Sequence, residues 1–263
     1  MLAFFPSREI VLYLSGFEIR WYGVLYVASF LLALYLLPRL QRHRGLQLPL
    51  EDWLVVVTWV AVGIVVGGRL GYVVLYEPGY FAAHPLETLS LWQGGMASHG
   101  GFVGVGFVLW MLSRWYRWDL WKLLDVAVVP VALGLALGRL GNWINQELYV
   151  SNLAHMVAVV KNLAIAGVMY WHLRATSWGF SGAAQRQTLS SSPGVTERLG
   201  RVGSGRTLAL FLILYGILRF ITEYLRVQEW PAVVGLTRGQ LFTLPIVAVG
   251  VWLWVRKRLL PCG

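Results

Sequence analysis

The chain is 263 residues long, with 57% hydrophobic residues, 13% charged residues and a mean hydropathy of +0.62. Soluble domains carry about 25% charged and about 45–50% apolar residues, so too little polar material is present to coat a water-facing surface, and a soluble globular enzyme is excluded. The net charge of +10 does not point to nucleic acid, because Lys and Arg collect in the cytoplasmic loops of membrane proteins. A single cysteine, Cys262, excludes an internal disulfide or a thiolate-cluster metal site, and no lipidation motif surrounds it.

Met1 to Gly16 has no basic segment followed by an apolar core and a cleavage site, so the first span is expected to be the targeting signal. Long apolar stretches at about 19–38, 53–76, 101–113, 121–138, 152–173, 207–225 and 240–255 each predict a helix. Seven spans of about 20 residues use about 140 residues and leave the rest for connections. The third stretch is short for a full crossing, so its helix is expected to begin within the Gly-rich stretch before Phe102. The expected fold class is all-α, a polytopic membrane bundle of about seven transmembrane helices forming one membrane domain over 1–263. Residues 175–205 mix Ser, Gly, Gln and Arg without helical period and predict a flexible cytoplasmic loop. No internal repeat and no inverted symmetry is visible.

Alternate connections carry most of the basic residues. One set holds Arg39, Arg42 and Arg44, then Arg114, Arg117 and Lys122, then Arg174, Arg186, Arg198, Arg201 and Arg206, and finally Arg256, Lys257 and Arg258, 14 of the 22. Retention of Lys and Arg on the cytoplasmic side then puts the amino end outside and the carboxyl end inside.

Ionisable groups within spans usually face a polar cavity or a partner, and here nearly all fall in the predicted outer half. Arg20 and Tyr22 begin span one, Arg69 lies in GGRLGYV of span two and His99 begins span three. Arg139, Asn142, Asn145 and Glu147 close span four, and Arg219, Glu223 and Arg226 occupy the outer part of span six. The spacing of four and three residues puts Arg219, Glu223 and Arg226 on one helical face, where they either hold the bundle together or form a compensated functional array. A planar guanidinium such as Arg219 at this depth suits a phosphate group. Gly100 and Gly101 follow His99 in SHGGFVGVG, a pattern that permits either close helix packing or close ligand approach. An imidazole beside several arginines is poised as a base near pH 7. GRLGNWINQE brings a cation, two amides and a carboxylate together, and Asn142 and Asn145 can hydrogen-bond to ester or glycerol oxygens. Trp21, Trp92, Trp115, Trp118 and Trp230 read as interfacial belts.

Six ordered segments resemble the bacterial prolipoprotein diacylglyceryl transferases: RWYGVLYV at 20–27, GGRLGYV at 67–73, GGMASHGG at 94–101, GRLGNWINQEL at 138–148, LRFITEYLR at 218–226 and RGQLFTLP at 238–245. The fourth contains the GRxGNxxN signature. The resemblance implies a seven-helix enzyme of the bacterial plasma (inner) membrane with its site towards the outer leaflet. Its substrates would be phosphatidylglycerol and the lipobox cysteine of a prolipoprotein signal peptide. The diacylglyceryl group moves to the thiol, glycerol phosphate leaves and a thioether remains. No metal or organic cofactor and no nucleic acid is expected. The positions carried over by motif are Tyr22, His99, Arg139, Asn142, Glu147, Arg219 and Glu223. His99, Arg139, Arg219 and Tyr22 are the expected catalytic set, with Asn142, Asn145, Glu147, Glu223, Arg69, Gly100 and Gly101 contacting substrate.

The chain departs from the family pattern after Glu147. ELYV runs directly into SNLAHMV, with Val150 near the family's glycine and Ser151 and Leu153 as remnants of its P-S-Q-L-Y-E motif. The family's outer head region is expected to be absent. His155 stands near the family's carboxylate position, and Lys161 adds a cation to the same span. Two other outcomes fit the residues: a paralogue that keeps the lipid site with altered chemistry, or a protein that binds or transports anionic lipids or phosphate-bearing solutes.

Overall fold

The computed structural model describes residues 10–14, 17–90, 94–177, 205–227 and 235–258. An antiparallel hairpin comes first, β1 (Ile10–Leu14) and β2 (Phe17–Arg20), paired Leu12 to Ile19, Tyr13 to Glu18 and Leu14 to Phe17. The helices follow: α1 (Trp21–Leu40) with a 3₁₀ turn at Gln41–Arg44, α2 (Leu50–Leu75), the short α3 (Pro78–Ala83) and α4 (Ser98–Trp115). After them come α5 (Leu120–Asn145), α6 (Asn152–Ala175), α7 (Arg206–Thr222) with a 3₁₀ turn at Glu223–Leu225, and α8 (Arg238–Arg258).

Six of these helical stretches are long and apolar enough to cross a membrane, and the fold is the expected all-α polytopic bundle. The exception is α4, whose 18 residues begin with SHGG and include Ser113 and Arg114, which dilute its apolar content. The hairpin is an element that helix-period reasoning did not supply. α5 also outruns its predicted end at 138, because Gly138 and Gly141 lower helix propensity without breaking the backbone ladder. Arg139 and Asn142 consequently share one helical face. Most of the predicted loop, 178–204, lies outside the described residues.

The chain packs as two compact units, 48–123 and the combination of 1–47 with 124–263. In the first, α2 and α4 cross through glycine. A side chain on Gly67 or Gly100 would collide with the opposing backbone, Gly104 lies against Gly63, and a Cβ on Gly71 would come 2.7 Å from the Gly100 Cα. Removing side chains at these positions lets the helices approach closely, the usual basis of helix association in lipid. The loop between the two helices is fastened by Arg69, which donates through Nε to Thr88 O at 2.9 Å, through Nη1 to Gly94 O at 2.5 Å and through Nη2 to Glu87 O at 2.6 Å. A cavity of about 590 Å³ in this unit is lined by Trp110, Ser113, Arg114, Arg117, Trp118 and Leu120, and none of the candidate residues borders it.

In the second unit the end of α1 is tied to α5, α6 and α7 by Arg44. Its Nε donates to Asp125 Oδ2 at 2.8 Å, Nη1 to Leu173 O at 3.2 Å, and Nη2 to Thr176 Oγ1 at 3.0 Å and to Thr207 Oγ1 at 2.5 Å. Asp125 is fully buried and also accepts the backbone N–H groups of Gly205 and Leu208, which caps the start of α7. Sequence reasoning treats Arg44 as a topological anchor, but its side chain is buried in a saturated polar pin.

Candidate active site

The second candidate assembly in this unit begins at the end of α5. Asn142 is 1% exposed and all of its amide chemistry is engaged. Its Oδ1 accepts from Arg139 Nη1 at 3.0 Å, and its Nδ2 donates to Tyr22 Oη at 2.6 Å and to Glu147 Oε1 at 2.9 Å. Close approach of α1 permits the Tyr22 contact, because Gly141 offers no side chain: a Cβ there would lie 3.3 Å from the Tyr22 ring. An amide suits this hub because it accepts from a cation on one side and donates to a phenol and a carboxylate on the other.

Beyond Asn145 the chain turns sharply. Gln146 at φ 57° and Leu148 at φ 74° occupy the left-handed region on either side of Glu147, a conformation that L-residues with side chains adopt at a cost. Six residues separate α5 from α6, which leaves no room between these helices for an additional folded region. Ser151, a remnant of the family motif, caps α6 by accepting the Ala154 N–H at 3.2 Å. The turn is laced to the end of α7: Val150 N–H donates to Leu225 O at 3.3 Å, and Val227 N–H donates to Leu148 O at 3.0 Å. Tyr149 and Arg226 form an isolated antiparallel bridge between these two segments.

That lacing brings the α7 array into the same unit as the Asn142 hub. Glu223 is buried and shared, with Arg219 Nη1 at 2.6 Å and Arg226 Nη1 at 3.1 Å from its carboxylate. A Cβ at Gly239 would lie 2.6 Å from the Glu223 carboxyl carbon, so glycine there lets the amino end of α8 meet the carboxylate. The helix dipole favours an anion at that end. Arg139 faces the Tyr149 ring with its guanidinium carbon 5.9 Å from the centroid, and His155 packs edge-on to the same ring at 5.1 Å. Lys161 donates to Thr222 Oγ1 at 3.2 Å. The Asn145 Oδ1, the Tyr149 hydroxyl and the His155 Nδ1 are buried without a hydrogen-bond partner among the described residues. Buried polar atoms nearly always have partners, and these three lie around the end of α5 and the first turn of α6.

Tyr22, Arg139, Asn142, Asn145, Glu147, Arg219 and Glu223 thus belong to one unit. His99, Arg69, Gly100 and Gly101 belong to the other. There, His99 occupies the first turn of α4, and the Ala97 N–H that precedes it is fixed to Gly68 O at 2.9 Å. Arg69 spends its donors on loop carbonyls and Gly100 packs against α2, so both have evident structural tasks. Tyr149 and Tyr215 were not singled out from sequence. Tyr215 could have been, since it precedes Arg219 by one helical turn and shares its face. Among the described residues no three metal-ligating side chains cluster.

These elements carry the same motifs that suggested a family, and comparison with known proteins decides the matter. The family profile described as "Prolipoprotein diacylglyceryl transferase" matches residues 9–256. The chain belongs to the prolipoprotein diacylglyceryl transferase family. A phosphatidylglycerol–prolipoprotein diacylglyceryl transferase of Ruegeria pomeroyi is 34% identical over an alignment covering 96% of this chain and 95% of the relative. Proteins of the same name from Rhodospirillum centenum and Methylibium petroleiphilum are 33% and 35% identical, covering 96% and 94% of this chain and 92% and 94% of their own lengths. The match runs through the α5–α6 turn.

Proposed function

We propose that this chain is a membrane transferase that moves the diacylglyceryl group of phosphatidylglycerol onto the lipobox cysteine of a prolipoprotein in the bacterial plasma membrane. The observation that carries this reading is the Arg139–Asn142 pair: a guanidinium without a carboxylate partner among the described residues, oriented by a saturated amide at the end of a membrane helix. Arginine at such depth is costly unless an anion meets it, and a lipid phosphate is the anion a membrane supplies.

In the reaction, the cysteine loses its proton and the thiolate attacks the glyceryl carbon that bears the phosphate ester oxygen. The C–O bond breaks as the C–S bond forms, and glycerol phosphate leaves with the bonding electrons. Negative charge grows on the departing phosphate, so Arg139 and Arg219 stabilise the transition state more than the bound lipid. Glu223 aligns Arg219, while Glu147 and Tyr22 orient Asn142 and through it Arg139. Asn142, Asn145 and Tyr22 are placed to order the headgroup and ester oxygens. His99 is the candidate base for the thiol, whose unperturbed pKa of about 8.5 leaves it mostly protonated at neutral pH. Arg69, Gly100 and Gly101 serve by holding the loop and helix that carry His99, Gly101 being buried against Ile64 of α2. The site faces the outer leaflet, where the signal peptide presents its cysteine.

The test is to incubate the purified protein, in micelles doped with phosphatidylglycerol, with a lipobox peptide and to look by mass spectrometry for a diacylglyceryl thioether. The wild type forms it and Arg139→Ala does not. A folded wild type that binds phosphatidylglycerol but yields no thioether would overturn the assignment of this reaction.

A further inference from the structure

Lys161 lies in the middle of α6 and is 8% exposed. Lysines in membrane helices usually extend their stems so that the ammonium reaches the interface. This one turns inward. Its ammonium donates to Thr222 Oγ1 at 3.2 Å and stands 5.8 Å from the centroid of the Tyr215 ring, one turn before Arg219. The Thr222 hydroxyl donates its hydrogen bond to Leu218 O at 2.8 Å, so its oxygen is left to accept from the lysine. Arg139, Arg219, Arg226 and Glu223 all lie within electrostatic range of the ammonium.

Among the described residues of this part of the unit, the basic groups outnumber the carboxylates that pair with them. Arg139, Lys161, Arg219 and Arg226 contribute four cations against the two carboxylates of Glu147 and Glu223. Glu223 pairs with Arg219 and Arg226, and Glu147 accepts a hydrogen bond from the Asn142 amide. Among the described residues Arg139 and Lys161 therefore have no ion pair. Two basic groups without a carboxylate partner among the described residues suit a phosphate monoester, which carries up to two negative charges.

We propose that Lys161 is a phosphate-binding residue of this chain, holding the phosphate of the lipid together with Arg139 and Arg219 and retaining the glycerol phosphate as it leaves. The proposal rests on the transferase reading above and adds a residue that the family motifs do not include. An ammonium with three donors, one of them given to Thr222, keeps two for phosphate oxygens.

The experiment compares wild type, Lys161→Met and Lys161→Arg in detergent. Affinity for glycerol phosphate and for inorganic phosphate is read from the rise in unfolding temperature, and KM and kcat are read with phosphatidylglycerol. Loss of one charge-assisted contact is expected to weaken glycerol phosphate binding about 10–100-fold and to raise KM comparably in Lys161→Met, with Lys161→Arg recovering most of both. If Lys161→Met does not fold, Lys161→Gln keeps a donor for Thr222 and removes the charge, and the same losses are expected from it. Binding within twofold of wild type in the neutral variants overturns the proposal, as does a wild type that neither anion stabilises. A wild type that binds glycerol phosphate in a Lys161-dependent way but makes no thioether upholds the anion site and refutes the transferase reading, so the two failures are distinguishable.

Discussion

The unit formed by 1–47 and 124–263 contains two buried arginine assemblies, about 21 Å apart along α5, that handle charge in opposite ways. At Arg44 every charge is answered: Asp125 accepts the guanidinium and two backbone N–H groups, while carbonyl and hydroxyl oxygens take the remaining donors. At Arg139, among the described residues, the basic groups outnumber the carboxylates that pair with them, and the polar atoms of Asn145, Tyr149 and His155 have no partner. A closed assembly has nothing left to give a ligand, and its value is architectural. An open one retains polar groups without a protein partner among the described residues. Burial of an arginine alone does not distinguish the two; the account of its hydrogen bonds does.

Removing one member from each assembly separates them most sharply. Asp125→Ala strands a buried guanidinium and is expected to cost about 3–5 kcal/mol of stability, measured by thermal unfolding and by yield of folded protein. Survival of the variant at wild-type stability would show that the pin is dispensable. Arg139→Ala is expected to do the reverse, lowering transfer by about 10²–10³-fold while the unfolding temperature stays close to wild type. A large loss of stability with turnover preserved would place Arg139 in the closed class.

Backbone strain offers a smaller test. The open assembly carries Gln146 and Leu148 in left-handed conformations beside Glu147. Gln146 is exposed and its side chain donates to Trp143 O, so glycine there gives up little packing. Gln146→Gly is expected to stabilise the protein by about 0.5–1 kcal/mol in thermal unfolding, at some cost in turnover as Glu147 loosens. A fall in stability would show that the turn is unstrained.

The smallest effect is expected at an exposed contact of neither kind, where the Tyr80 hydroxyl donates to Glu87 Oε2 at 2.6 Å. That hydrogen bond holds the phenol above its usual range, so its stabilising contribution is complete below about pH 10 and disappears as the phenol ionises at higher pH. Tyr80→Phe should lower the unfolding temperature only slightly at pH 7 and converge with wild type well above pH 10. A persistent difference in strong base would exclude the hydrogen bond as its cause.

The spans were legible because long apolar runs have few alternatives in a membrane, and the positions of α2, α6 and α8 follow from them directly. The β1–β2 hairpin was not, since a short alternating segment before an apolar run reads as flanking sequence. Within the open assembly, ordered motifs point to Arg139, Asn142, Arg219 and Glu223. Tyr149 is different, because it joins the assembly through pairing with Arg226, a partner distant in sequence. The opposite error concerns Arg44: counted with its neighbours it looks like loop charge, and only its meeting with Asp125 and Thr207 from later helices reveals a buried pin.

The two units also differ in continuity, with consequences for biogenesis. Residues 48–123 form one uninterrupted stretch, whereas α1 has to wait for partners beginning at residue 124. Chains emerge at roughly 5–20 residues per second, so the glycine crossing of α2 and α4 can close about 0.5–5 s before Tyr22, Ser29 and Arg44 gain Asn142, Gly134 and Asp125. During that interval α1 lacks those three contacts, and it acquires them only once the carboxyl-terminal half has been made.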